Sequence, residues 1–111
     1  MKYKVVLVPF PFDDLTANKV RPAVCLTNTI GPHSHVILAF ITGRIKSEPL
    51  SSDVILSEHE PDFAATGLKV SSTLQLHRLV TVGTSIILRE LGVFTPLQQR
   101  SVKIGLRQLF A

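Results

Sequence analysis

Six short apolar runs, each followed by turn-forming residues, constrain this chain more than any other feature of its sequence. They lie at residues 5–8, 23–27, 35–42, 53–56, 74–82 and 86–88. Prolines, glycines and polar clusters separate them, at Pro9 and Pro11, 13–19, Gly31-Pro32, 49–52, 60–67 and Gly83. Runs of this length and spacing are typical of β-strands joined by turns. The sequence therefore predicts a compact, mostly antiparallel sheet or small barrel.

The last part of the chain changes from strand to helix periodicity. Thr95 stands before Pro96, and Gln98 follows three residues after the threonine. A threonine cap, a proline at the first helical position and a glutamine that reaches back to the cap form a capping box, which predicts a helix ending at about residue 109. One apolar face of that helix is formed by Val102, Leu106 and Leu109. Ile104 lies off that face, where a partner subunit could cover it.

The composition bounds the class of protein. A chain of 111 residues most simply forms one domain, residues 1–111, because it is too short for a second independent core. Apolar residues make up 45% and charged residues 18%, which argues against disorder. No apolar run approaches the ~20 residues needed to cross a bilayer, and the prolines after the first run predict a strand there rather than a signal peptide. We expect a soluble protein.

The charge is positive and unevenly distributed. The formal net charge is +4 and the isoelectric point about 9.6, which favours anionic partners such as nucleic acid. Residues 48–62 hold five acids and no Lys or Arg, whereas residues 63–111 hold six bases and one acid. This segregation predicts one positive face. The single cysteine, Cys25, lies between apolar residues, and we interpret it as a buried structural thiol in a cytoplasmic protein.

The segment 5–27 joins the first two apolar runs through a polar loop and places Arg21 and Pro22 where the second begins. Because proline biases the preceding residue toward extended backbone, Arg21 is predicted to have a defined place at the start of a strand. A guanidinium is planar and permanently charged, so it suits a phosphodiester and the extra charge of its transition state. The alternative is a surface arginine paired with Asp13 or Asp14.

Thr42 ends the apolar run V-I-L-A-F-I-T and precedes Gly43 and Arg44. This order places a hydroxyl at the end of a buried strand, beside a flexible turn, where it could meet a substrate. The alternative is a β-branched residue that is there because it favours strands.

The V-L-V-P-F-P-F opening, the K-V-R-P-A-V turn and the later F-I-T are similar to the MazF/PemK family of toxin endoribonucleases from toxin-antitoxin pairs. The similarity runs nearly end to end. It implies an α+β, mostly β fold, a small SH3-like barrel of antiparallel strands with a C-terminal α-helix. It also implies that Arg21 and Thr42 are the catalytic residues.

The same resemblance implies the activity and its partners. Members cleave single-stranded RNA in a sequence-specific way without a metal or other cofactor, and they leave 2′,3′-cyclic phosphate and 5′-hydroxyl ends. They are usually homodimers that an acidic antitoxin protein blocks. We therefore expect an RNA substrate, a cognate antitoxin and a second copy of the chain as partners.

Several other side chains are predicted to contact the RNA. Two phenylalanines of the opening motif could stack bases, although at least one is expected in the core. Bases just beyond Thr42 could hold flanking phosphates, or belong to a solvated loop. The predicted set is Phe10, Phe12, Lys19, Arg44, Lys46, Gln75, His77 and Arg78.

The segment 72–83 contains Arg78 where, on our preferred alignment, many ribosome-independent members carry glutamine. Strict alternation would place Arg78 on the same side as Leu74, Leu76, Val80 and Val82, so that it interrupts an apolar face. Two readings stay open. A bulge rotates the arginine out of that face, or the arginine lies at the rim of the site.

Metal and general-base chemistry have less support in the sequence. The histidines at 33, 35, 59 and 77 lack the spacing of metal ligands, so we expect no metal site. His77 could act as a general base, since both of its protonation states are available near neutrality. An exposed strand histidine is the commoner situation.

Two other functions stay open on the residues alone. A CcdB-like toxin shares the fold, binds DNA gyrase and cleaves nothing. An inactive homologue would retain only the binding of RNA or antitoxin. The R-P-A-V motif together with Thr42 favours the nuclease, and the final Phe-Ala gives no sign of gyrase binding.

Overall fold

Strands make up most of the regular secondary structure of the chain, whose residues 1–10 and 19–111 a computed structural model describes. Phe12, a predicted RNA contact, and Asp13 and Asp14, the alternative partners of Arg21, lie outside the described residues. The elements are β1 (Lys4–Phe10), β2 (Lys19–Cys25), β3 (His35–Thr42), β4 (Asp53–Leu56), β5 (Ser72–Gly83), β6 (Arg89–Val93) and α1 (Pro96–Leu109). Short 3-10 turns lie at Ala64–Thr66 and Thr84–Ile86.

The six described strands form one antiparallel sheet in the order β4-β5-β3-β2-β1-β6. The sheet curls into a half-barrel, and α1 is the C-terminal helix of this mostly-β fold. The predicted fold class is confirmed. Because consecutive side chains of a strand point to opposite sides, each strand contributes to both faces of the sheet.

The first face is the one that α1 covers. Its buried side chains include Val5, Val24, Ile41 and Leu74, and Val102 of the helix is buried among them. Leu106 and Leu109 pack against the same cluster, as the predicted apolar face requires. Burial of this face at about 25 cal/mol per Å² of apolar surface is the main force that holds the helix to the sheet.

The second face holds a separate apolar cluster. It is formed by Val6, Val8, Ala23, Cys25, Val36, Leu38 and Phe40, with Phe10, Val80, Val82, Ile86 and Ile87 packed around it. Cys25 is free and fully buried, so the interpretation as a structural thiol is confirmed. Burial raises the pKa of this thiol to about 11, which keeps it protonated and unreactive near neutrality.

The predicted capping box begins the helix. The Thr95 hydroxyl accepts a hydrogen bond from the Gln98 backbone N–H at 3.3 Å, and the Thr95 N–H donates to the Gln98 side chain at 2.9 Å. The helix ends at Leu109, as predicted. In the part of the chain that the structure describes, no helix has the length and hydropathy that a membrane crossing requires.

Two details of the strand prediction are wrong. The run 86–88 is not a strand: Ile86 ends a 3-10 turn and Ile87 follows it, both pack against the second face, and the last strand begins at Arg89. Pairing with β1 begins there, where the Leu88 N–H donates to the Leu7 carbonyl at 2.9 Å. In this run, Ile86 and Ile87 therefore contribute to the core from a turn and not from a strand.

Pro9 does not end the first strand, which continues to Phe10. Pro9 pairs with Val20 on β2, whereas the pairing of β1 with β6 ends at Leu7. Since one side of β1 has no described strand beside it at this point, the proline there removes no ladder hydrogen bond on that side.

Candidate functional site

A cleft of about 570 Å³ opens where β2 begins and β3 ends. Its basic side chains are Arg21, Arg44, Lys46 and Arg78. Its other side chains are Phe10, Phe40, Ile41, Thr42 and Gln75. Seven of the residues predicted from the sequence as catalytic groups or RNA contacts line this one cleft: Phe10, Arg21, Thr42, Arg44, Lys46, Gln75 and Arg78.

The register of the strands explains why Arg21 and Thr42 meet at this cleft. The described ladder between β2 and β3 runs from Ala23 opposite Phe40 to Cys25 opposite Leu38, so it ends before it reaches the cleft. Continuing that register by two residues sets Arg21 opposite Thr42, and period-2 alternation puts both on the second face. The apolar second face thus ends in a guanidinium and a hydroxyl.

Two phenylalanines form the floor between these groups. The rings of Phe10 and Phe40 meet edge to face with centroids 5.0 Å apart. The Arg78 Cζ lies 5.4 Å from the Phe10 centroid and 5.8 Å from that of Phe40, and the Arg21 Cζ lies 5.9 Å from Phe10. A cation at this distance from an aromatic ring gains about 0.5–1 kcal/mol where it is exposed. The rings therefore restrict where both guanidinium groups can lie.

An irregularity in β5 brings Arg78 into the cleft. Phe40 pairs with Gln75, but its neighbour Ala39 pairs with Leu79, so the segment 76–78 has no partner in this register. Leu76 packs on the first face, whereas Val80 packs on the second. The side on which alternate residues point changes within the segment 76–78.

The strict alternation expected for this strand is therefore wrong. Arg78 does not interrupt the face that holds Leu74 and Leu76, because it lies on the opposite side, with Val80 and over the two rings. The irregularity that the sequence left open is present, and Arg78 also lines the cleft. Its role there stays a prediction. Gln75 lines the same cleft, so an amide side chain is present beside the arginine.

The cleft has an excess of positive charge among its described residues. Lys46 forms an ion pair with Asp53, with Nζ and Oδ2 3.4 Å apart. Within the described ranges, Arg21, Arg44 and Arg78 form no salt bridge. The proposed pairing of Arg21 with Asp13 or Asp14 falls outside these ranges. Uncompensated guanidinium groups around a concave surface attract an anionic ligand.

Two of the predicted RNA contacts are not among the described lining of the cleft. Lys19 is exposed at the start of β2, opposite Phe10. His77 is exposed in the irregular segment 76–78. Their role, like that of Phe12, stays a prediction.

Sequence reasoning missed Phe40, which forms half of the aromatic floor. The sequence could have predicted this contact, because Phe40 lies two residues before Thr42 and so shares its side of the strand. Thr73 and Asp53, which contact the loop after Thr42, were also missed. Their contacts join strands that are remote in sequence, and no local pattern announces them.

No group of three or more His, Cys, Asp or Glu side chains lies together among residues 1–10 and 19–111. His33, in the turn before β3, and His35, the first residue of β3, do lie near each other, with ring centroids 6.0 Å apart.

Comparison with known proteins agrees with this architecture. A family model described as "PemK-like, MazF-like toxin of type II toxin-antitoxin system" matches residues 1–110. No curated protein sequence matches the chain.

Solved structures resemble the fold over nearly its whole length. A mycobacterial endoribonuclease in complex with its cognate antitoxin has a TM-score of 0.73 at 12% identity, over 99% of this chain and 93% of that one. The Mycobacterium tuberculosis toxin MazF-mt6 has a TM-score of 0.72 at 20% identity, over 96% and 95%. Another mycobacterial endoribonuclease has a TM-score of 0.71 at 14% identity, over 99% and 89%. At these identities the likeness concerns the fold alone.

Proposed function

Because the chain belongs to the PemK-like, MazF-like toxins of type II toxin-antitoxin systems, we propose that it is an endoribonuclease that cleaves single-stranded RNA. The observation that carries this proposal is the basic cleft lined by both Arg21 and Thr42. A phosphodiester in that cleft would meet a fixed positive charge and a hydrogen-bond donor together, as phosphoryl transfer requires.

In the proposed reaction, the ribose 2′-hydroxyl attacks the adjacent phosphorus, and the bond from phosphorus to the 5′-oxygen of the next nucleotide breaks. The attacking hydroxyl loses its proton and the leaving oxygen gains one, so the products are a 2′,3′-cyclic phosphate and a 5′-hydroxyl end. Arg21 stabilises the charge that develops on the non-bridging oxygens, and the Thr42 hydroxyl donates a hydrogen bond to one of them. A guanidinium stays protonated at neutral pH, so the role of Arg21 is electrostatic.

The remaining cleft residues hold the RNA on either side of the scissile bond. Arg44 and Arg78 contact flanking phosphates, because a guanidinium can form paired hydrogen bonds with phosphate oxygens. Phe10 and Phe40 offer ring surface on which a base can stack. Lys19 and His77 contact RNA that extends past the cleft.

The same surface is proposed to bind the antitoxin. A mycobacterial neighbour was solved with its cognate antitoxin, and the basic cleft of this chain would attract an acidic segment that competes with RNA. We also propose a homodimer. Leu97, Ile104 and Phe110 leave 58%, 53% and 71% of their surface exposed, and a second subunit would cover such side chains.

The test uses the purified full chain, an unstructured RNA of mixed sequence and a DNA of the same sequence, with EDTA present. We expect the RNA alone to be cut, with new ends that a polynucleotide kinase phosphorylates directly, because they carry 5′-hydroxyls. Intact RNA together with inhibited gyrase supercoiling would support the CcdB-like alternative instead. Cleavage of the DNA, which lacks the attacking hydroxyl, would exclude the proposed mechanism.

A further inference from the structure

Two buried polar side chains contact the loop that follows β3, residues 43–50. This loop begins directly after Thr42 and carries Arg44 and Lys46, two of the basic residues of the cleft. Thr73 comes from β5 and Asp53 from β4, and both lie outside the described lining of the cleft. A role for either in the proposed site would therefore be exerted through the loop.

Thr73 holds the beginning of the loop. It is fully buried and pairs with Thr42 in the last described position of the β3-β5 ladder. Its hydroxyl donates a 2.8 Å hydrogen bond to the Arg44 carbonyl. Strand pairing ends at Thr42, so this side-chain bond extends the attachment by two residues and fixes the direction in which the chain leaves the strand.

Asp53 holds the end of the loop. Its side chain has no exposed surface, and its Oδ2 accepts a 2.9 Å hydrogen bond from the Leu50 N–H and lies 3.4 Å from the Lys46 Nζ. Its Oδ1 is buried without a hydrogen-bond partner among the described residues. A carboxylate this deeply buried is tolerated when a cation compensates its charge. The ion pair therefore stabilises the buried Asp53 and also fixes the position of Lys46.

We propose that Thr73 and Asp53 are positioning residues of the candidate site, which together fix the two ends of the 43–50 loop and thereby orient Thr42 and Arg44 toward the phosphodiester. This inference rests on the proposed function for its catalytic consequence. Displacements of about 1 Å in a catalytic group can cost ~100-fold in rate, so two buried contacts of this kind can matter to a reaction that neither touches.

The first test compares Thr73→Val with Thr73→Ser. Valine keeps the shape and removes the donor, and we expect kcat for RNA cleavage to fall by roughly 10-fold or more while KM changes by less. Serine keeps the donor and should restore most of the rate. The matched control is Thr66→Val, since Thr66 is also fully buried and donates a 2.7 Å bond to the Phe63 carbonyl, in a loop away from the cleft.

Cleavage by Thr73→Val at the wild-type rate would overturn the proposal. So would a slow Thr66→Val enzyme with the same loss of stability, because the rate would then follow stability and not the loop. Rescue by serine, together with an active Thr66→Val, would support it.

The second test does not depend on activity. Asp53→Asn retains an oxygen that can accept from Leu50 but removes the charge that holds Lys46, so it should fold even if Thr73→Val does not. In both variants we expect faster amide hydrogen exchange across residues 43–50 and unchanged exchange in β1 and β2. Wild-type exchange in the loop would overturn the proposal. If the wild-type chain cleaves no RNA, the proposed function fails, and the exchange data still decide whether these two residues fix the loop.

Discussion

Arg21 owes its place in the cleft to three local causes. Pro22 restricts its backbone, the register of β2 and β3 turns it to the side of Thr42, and the Phe10 ring lies 5.9 Å from its Cζ. Only the first is visible in the local sequence. The second requires knowledge of how two distant segments pair, so the pair of residues could be named from the resemblance while their convergence could not be derived from the residues.

Replacement of Arg21 tests the proposed chemistry directly. Arg21→Ala should reduce the rate of RNA cleavage by roughly 100-fold or more, because it removes a donor that acts on the transition state. The residue is exposed and its described contact is with the Phe10 ring, so the free energy of unfolding should fall by about 1 kcal/mol or less. Single-turnover cleavage and urea unfolding measure the two quantities. Arg89→Ala, exposed on β6 and outside the described lining of the cleft, serves as the control and should cleave normally.

Lys46 and Arg44 are predicted to differ although both line the cleft. Lys46→Ala leaves the buried Asp53 carboxylate without its cation, so the free energy of unfolding should fall by roughly 1–3 kcal/mol. Arg44 is exposed and forms no salt bridge among the described residues, so Arg44→Ala should cost less than about 0.5 kcal/mol. Urea unfolding compares them. Equal losses would show that the Lys46 pair contributes nothing to stability.

Cys25 should make the free energy of unfolding depend on pH in the alkaline range. Burial raises the pKa of the thiol from 9.0 to about 11, so the folded state keeps a proton that the unfolded chain loses in this range. Unfolding then releases a proton, and rising pH favours the unfolded state between about pH 9 and 11. The wild type should therefore lose stability faster than Cys25→Ala over that range in urea titrations. Parallel curves for the two proteins would contradict this assignment.

Among the elements, α1 was the easiest to predict and β5 the hardest. The capping box at Thr95 is a local signal, read from four consecutive residues, and the structure reproduces it. At the irregular segment 76–78 the strand passes from one apolar cluster to the other, since Leu76 lies in the first and Val80 packs against the second. A strand pattern contains no information on which cluster each residue will join, so alternation failed where the strand passes between them.

The cap of α1 should be worth a measurable part of the stability. Thr95 accepts from Gln98 and also donates a 2.7 Å hydrogen bond to the Asp62 carboxylate. Thr95→Ala should therefore lower the free energy of unfolding by about 1–2 kcal/mol. Thr95→Ser keeps both bonds and should lie close to the wild type in thermal and urea unfolding. A serine variant as unstable as the alanine variant would assign the effect to the lost methyl group.

At the scale of the whole molecule, the two faces of the sheet differ in what lies against them. The first face is covered by α1, whereas the second ends in the basic cleft. The sequence predicted one positive face from the six bases of residues 63–111, whereas only Arg78 among the four basic side chains of the cleft belongs to that segment. The sequence could not predict that the cleft bases come from β2, the 43–50 loop and β5, because only the sheet order brings these segments together.

This arrangement predicts a salt-dependent interaction with RNA. If the three arginines of the cleft each neutralise one phosphate, the logarithm of the association constant should fall with the logarithm of salt concentration with a slope of roughly −2, at about −0.7 per phosphate. Arg78→Ala should reduce the slope by about 0.7. Fluorescence anisotropy measures this with RNA carrying a single 2′-deoxy sugar at the cleavage site. A slope near zero would contradict binding in the cleft.

The segment 76–78 has a consequence for how such proteins diversify. It lies outside the strand register and places Arg78 over the two rings, while Arg21 and Thr42 belong to other strands. If the cleft binds RNA as proposed, insertions or deletions in this segment would change which side chain faces an incoming nucleobase and leave Arg21 and Thr42 in place. Under the proposed function, descendants of one ancestral enzyme could thus acquire new target sequences through small changes of chain length while inheriting the same chemistry.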